Sequence, residues 1–129
     1  MSEWRTTEAH FRAFKRECER LKRLWGLNDW RLDFSQERLD DNANANISAD
    51  SIYRTALLRL AVVWSAKDGN GDKHYAPTAS GIMDAARHEM THLLTADLYN
   101  IGAKRFVSKD EWMKAVERIA RHLDGLLPR

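Results

Sequence analysis

The feature that most constrains this chain is the run His-Glu-Met-Thr-His at residues 88–92, set inside a segment with two opposed faces. From Ile82 onward, Ile82, Met83, Ala86, Met90, Leu93 and Leu94 recur on one side, with Leu98 at its edge. Asp84, His88, Glu89, His92, Thr95 and Tyr99 fall on the other. The stretch 78–81, Thr-Ala-Ser-Gly, can cap the start of a helix there. The segment is therefore expected to be an amphipathic helix that buries one flank and presents the motif on the other. On such a helix, positions i and i+4 lie about 40° apart, so His88 and His92 project together. Two neutral imidazoles so placed can hold one face of a tetrahedral Zn²⁺. Glu89, about 100° round from His88, falls beside the ion rather than on it. There its carboxylate can take a proton from a water acidified by zinc, which points to metal-assisted amide hydrolysis.

Five segments before the motif carry further pattern. Residues 6–25 repeat Phe11, Phe14, Cys18, Leu21 and Trp25 at helical spacing, and Gly26-Leu27-Asn28-Asp29 reads as the stop. Arg12, Lys15, Arg16, Arg20, Lys22 and Arg23 make the remaining surface of this helix basic, with Glu17 and Glu19 offering partial pairing. Nucleic-acid contact through that surface is an alternative to a plain solvated face. His10, near the helix start, reads as structural. Residues 30–34 alternate apolar and polar, as a half-buried strand does. Residues 46–51 read as a short strand after a turn at 40–44, without the spacing of a calcium loop. Residues 57–65 give the strongest strand pattern, against an alternative of a short helix over 51–60 feeding a shorter strand. Residues 67–73 form a polar, glycine-bearing connection, followed by His74 and Tyr75, which with Tyr99 are candidate substrate contacts.

A catalytic zinc usually takes three protein ligands and keeps one position open. Downstream of the motif the candidates are Asp97, Glu111, Glu117 and His122. Asp97 lies roughly 140° round the same helix from His92 and suits a salt bridge better than the same ion. Residues 108–127 read as a final helix with an apolar stripe of Trp112, Ala115, Val116, Ile119, Leu123 and Leu126. Glu111 and His122 lie on the border of that stripe, whereas Glu117 points away from it, toward solvent. Ser108-Lys109-Asp110-Glu111 also matches a capping box, a role for Glu111 that needs no metal.

The heptapeptide His88-Glu89-Met90-Thr91-His92-Leu93-Leu94 resembles the active-site helix of zincin metallopeptidases, and the chain is similar to a minimal zincin core of the SprT-like or phage-encoded kind. The metzincin extension is absent, because Thr95 and Leu98 stand where its Gly and third His would be. The resemblance implies a zinc-dependent peptidase in which His88, His92 and a later-helix glutamate bind Zn²⁺ and Glu89 is the general base. By the gluzincin interval that glutamate is Glu111, with His122 as the alternative. It also implies that the strand near residues 58–65 lies at the sheet edge beside the cleft, where an extended protein or peptide substrate adds as another strand. Competing readings are a noncatalytic zincin-like module that binds protein or nucleic acid, and a zinc hydrolase of a nonpeptide amide.

Assembled, the pattern is one α+β domain over residues 1–129: an N-terminal helix, a small mixed or antiparallel sheet, the motif helix and a C-terminal helix. With 43% hydrophobic residues the 129-residue chain can bury a core, and a net charge of +2 is too small to imply a nucleic-acid partner. The single cysteine rules out an intramolecular disulfide and suits a reducing compartment. No stretch approaches membrane length and no apolar leader precedes the first helix, so the expected setting is the cytoplasm. The purified protein should bind about one Zn²⁺ per chain, and elemental analysis of His88→Ala and His92→Ala should find most of it gone.

Overall fold

In a computed structural model of the chain, the structure describes residues 3–39, 43–65 and 77–96, and residues 108, 110, 111, 113, 114, 117, 118, 120 and 121. Order along the chain is β1 (Glu3–Arg5), α1 (Glu8–Leu24), β2 (Arg31–Glu37), β3 (Ala45–Asp50), β4 (Thr55–Ala61), β5 (Val63–Ser65) and α2 (Ala79–Leu94). The described residues between 110 and 121 are also helical. The result is a small α+β fold, as the pattern of the sequence implies.

Both ends of α1 are set by local chemistry. The Thr7 side chain accepts from the His10 backbone N–H, and His10 Nδ1 accepts in return from the Thr7 backbone N–H, a reciprocal cap that explains His10 without a metal. At the far end Gly26 adopts φ +71°, and the N–H groups of Gly26 and Leu27 return to the carbonyls of Arg23 and Lys22. That closure needs a left-handed residue, which glycine supplies without strain. On the basic surface of α1, Arg12 pairs with Glu8 and Arg20 with Glu17.

Strands β2, β4 and β3 form one mixed sheet in that spatial order, β2 parallel and β3 antiparallel to β4. The register aligns Phe34 and Ile47 on either side of Leu58, and Leu32 and Ala49 on either side of Ala56. Since side chains alternate across a sheet, these residues share one face with Leu60 and Ala45. Arg31, Asp33, Leu57, Arg59, Asn46 and Ser48 occupy the other. Helices α1 and α2 pack against each other, α1 also touching β2 and α2 touching β3. Phe14, Cys18 and Leu21 from α1 join Ile82, Ala86, Met90 and Leu93 from α2 and Leu58 and Leu60 from β4 in one buried cluster.

Three expectations change. The long strand over residues 57–65 is two strands in two sheets. Val62 donates its N–H to Glu37 and accepts at its carbonyl from Thr6, and the chain bends there. It then continues as β5, paired antiparallel with β1. The helix alternative over 51–60 does not occur, because residues 51–54 turn tightly between β3 and β4. Arg54 takes a left-handed φ of +56° in that turn, while its guanidinium binds Asp29 at 2.7 Å and covers the Trp30 ring. Finally, β4 is the central strand, so the sheet edge beside α2 is β3 and not residues 58–65. No helix among the described residues is long and apolar enough to cross a membrane.

The two faces of β4 make a direct test. Leu58 is fully buried, so Leu58→Ala should cost about 2–5 kcal/mol, whereas the half-buried Leu57 on the other face should cost about 1 kcal/mol. Urea unfolding of the two variants checks this; equal losses would mean that the faces are misassigned.

Candidate metal centre

Helix α2 begins where the Thr78 side chain accepts from the Gly81 backbone N–H, the expected cap. Of its expected core flank, Ile82, Ala86, Met90 and Leu93 are buried, Leu94 is half-buried, Met83 is exposed, and Leu98 lies outside the described residues. The polar flank is less open than its composition implies. Glu89 is only 7% exposed, and Thr91 and Thr95 are buried. Burial of these hydroxyls is tolerated because each returns to the helix: Thr91 donates to the Arg87 carbonyl at 2.7 Å and Thr95 to the His92 carbonyl at 3.1 Å. Arg87 is itself buried, with its guanidinium over the Trp25 ring at the end of α1.

His88 and His92 stand on this flank with their rings edge to face, 4.8 Å between centroids, and their Nε2 atoms 3.2 Å apart. The third member of the cluster is Glu117. Its Oε1 lies 3.1 Å from His88 Nε2 and its Oε2 lies 3.1 Å from His92 Nε2. Hydrogen bonds from His88 and then His92 hold the Glu117 carboxyl well below the usual carboxylate range, against the opposing effect of its partial burial.

The structure brings Glu117, not Glu111, to the histidine pair. Glu111 is exposed, and its backbone N–H donates to Ser108 Oγ at 3.1 Å, which is the capping geometry. His122, Asp97, Tyr99, His74, Tyr75 and the connection at 67–73 lie outside the described residues. The expectation that Glu117 faces solvent misses because it considers the final helix alone. Off the apolar stripe there is not only water but also the polar flank of α2. The sequence offered only a weak signal: Glu117 lies off its own helix's apolar stripe, as His88 and His92 lie off theirs.

The donor set suits zinc. Two imidazole nitrogens and a carboxylate oxygen come from three residues, all within 4.8 Å of one another. The two Nε2 atoms are 3.2 Å apart and each lies 3.1 Å from a different Glu117 oxygen, so the three side chains meet in one small volume. The cluster opens into a cleft of about 620 Å³ whose lining includes Glu89, Met113 and β3 residues 45–49. Behind it, Cys18 of α1 is buried, and burial followed by the negative charge of Glu89 pushes its thiol pKa well up. A thiol so held stays protonated and serves packing.

Among the described residues, no strand pairs with the side of β3 away from β4. Ala61 N–H donates to the Asn44 carbonyl, which makes residues 44 and 61 a hydrogen-bonded pair. Alternation along an antiparallel ladder then turns the amide groups of Ala45, Ile47 and Ala49 outward.

In comparisons with known proteins, no family model matches the chain, and neither a curated protein nor a solved structure does.

The two carboxylates separate cleanly in an experiment. Glu117→Gln should weaken zinc affinity by at least about 10–100-fold, since even partners of ligands are worth that much. Glu111→Gln should leave it unchanged, as competition with a zinc-binding dye would record. The opposite ranking would return the ligand role to Glu111.

Proposed function

We propose that the chain is a zinc-dependent peptidase of the zincin type, with Glu89 as general base. The observation that carries this reading is the convergence of His88, His92 and Glu117 on a cleft that Glu89 and β3 also line. His88, His92 and Glu117 would hold the ion, and three protein ligands with one position open is the pattern of a catalytic rather than a structural zinc. Zinc bound there would supply Lewis acidity, polarising a carbonyl and bringing the pKa of a water near 7.

The remaining work falls to the chain's own groups. The outward amides of Ala45, Ile47 and Ala49 offer hydrogen bonds to an extended peptide lying along β3 as a further strand. This edge favours a peptide over a small nonpeptide amide, which would leave most of those groups unused. Glu89 accepts a proton from water as the water oxygen bonds to the amide carbon. It then delivers that proton to the nitrogen as the C–N bond breaks, leaving a carboxylate and an amine. Burial of Glu89 limits competition from bulk water for its carboxylate. A cytoplasmic setting accords with the single thiol, Cys18, being buried and unbridged.

Glu89→Gln keeps the shape of the side chain and removes the base. It should retain zinc and lose about 10²–10⁴-fold in turnover of a denatured protein substrate. An unchanged rate would exclude Glu89 as the base. Full zinc loading with no cleavage by the unaltered protein would favour a noncatalytic binding module.

A further inference from the structure

The face that the final helix turns toward the histidine pair carries a second chemical instruction. Met113, Glu117 and Arg121 follow one another at four-residue intervals, so they share that face, with about 6 Å of helix between successive members. Met113 lines the cleft and is 46% exposed. Arg121 lies on the other side of Glu117, its Nε 3.7 Å from Glu117 Oε1 and its side chain 61% exposed. That separation is too long for a hydrogen bond. Both carboxylate oxygens of Glu117 are already engaged by the histidines at 3.1 Å. Arg121 thus reaches the rim of the site as an ion-pair neighbour of Glu117, without a hydrogen bond to it. Among the described residues lining the cleft there is no lysine or arginine, and its two carboxylates, Glu89 and Glu117, are both taken up by the proposed chemistry.

We infer that Arg121 is a specificity-determining residue that seats a substrate carboxylate next to the bond held at His88, His92 and Glu117. This rests on the peptidase reading of the site. Arg121 Nε lies 3.7 Å from Glu117 Oε1, and a carboxylate on its guanidinium would stand about 3 Å further on, roughly two residues of an extended chain. The recognised group is therefore either the side chain of an aspartate or glutamate about two residues from the scissile bond, or the substrate's own C-terminal carboxylate at that distance. A guanidinium suits either, because its paired N–H groups match the two oxygens of a carboxylate. The Met113 side of the cleft takes the uncharged part of the same peptide.

Binding to the zinc-loaded Glu89→Gln protein tests this without turnover. Three fluorescein-labelled heptapeptide pools, randomised over Ala, Leu and Ser, serve as probes. One has an internal Asp and a C-terminal amide, one an internal Asn and a C-terminal amide, and one the internal Asn with a free C-terminal carboxylate. Anisotropy should find one of the two carboxylate-bearing pools bound about tenfold more tightly than the neutral pool, and which of them it is identifies the source of the carboxylate. Adding Arg121→Gln should erase that difference with zinc affinity unchanged. Adding Arg121→Glu should instead favour a pool carrying Lys in place of Asp. Equal binding of all pools, no binding of any, or a preference that survives Arg121→Gln would overturn the inference. So would a fall in zinc affinity with uniform weakening of every pool, which is what a brace for Glu117 alone would produce. If the discrimination holds but the protein with Glu89 intact cleaves none of these peptides, the peptidase reading fails and the carboxylate site stands.

Discussion

Everything about this site depends on how α2 is held. A helix that carries two imidazoles for one ion must keep one flank in the core and leave the other beside a space large enough for chemistry. Ile82, Ala86, Met90 and Leu93 meet that demand on the core side, where they pack with α1 and the sheet. The burial fixes the rotation of α2 about its axis. A turn of the helix by one residue's worth of angle, about 100°, would move the histidines out of the cleft and bring a polar side chain into the core. The imidazole geometry is thus a by-product of hydrophobic packing on the opposite flank.

Burial reaches around the helix toward the site as well. Glu89, Thr91 and Thr95 are all buried on or near the polar flank. The two threonines bond their own helix's carbonyls, so their burial leaves no hydroxyl donor unused. The effect is a site set in a firm wall. Glu89 is shielded yet lines the cleft, and each histidine Nε2 lies 3.1 Å from one oxygen of the Glu117 carboxylate. A zinc ion bound there would find its ligands already gathered.

The motif helix was legible because its information is local. The apolar period, the Thr78 cap and the i, i+4 histidines all lie within a few turns of one segment, and backbone geometry alone relates them. The same holds for the ends of α1, where Thr7, His10 and Gly26 carry their own instructions. The strands at residues 30–34 and 46–51 were legible as strands, but their neighbours in the sheet were not. Side-chain alternation says which residues share a face and nothing about which strand lies in the middle. That β4 is central and β3 is the edge follows from how the whole chain closes its hydrogen bonds. The division at Val62 likewise comes from long-range partners, Thr6 and Glu37.

Sequence by itself therefore determined the α+β composition, the two-faced motif helix and the pairing of His88 with His92, because each depends on residues close along the chain. Only the tertiary structure decided that Glu117 completes the cluster, that Glu111 belongs to a helix cap, and that, among the described strands, the one at the sheet edge beside the cleft is β3. The reason is physical. A helix read alone has an apolar side and a side that faces water. Once packed, part of that second side faces another helix, and a carboxylate that would be solvated in isolation becomes the partner of two imidazoles.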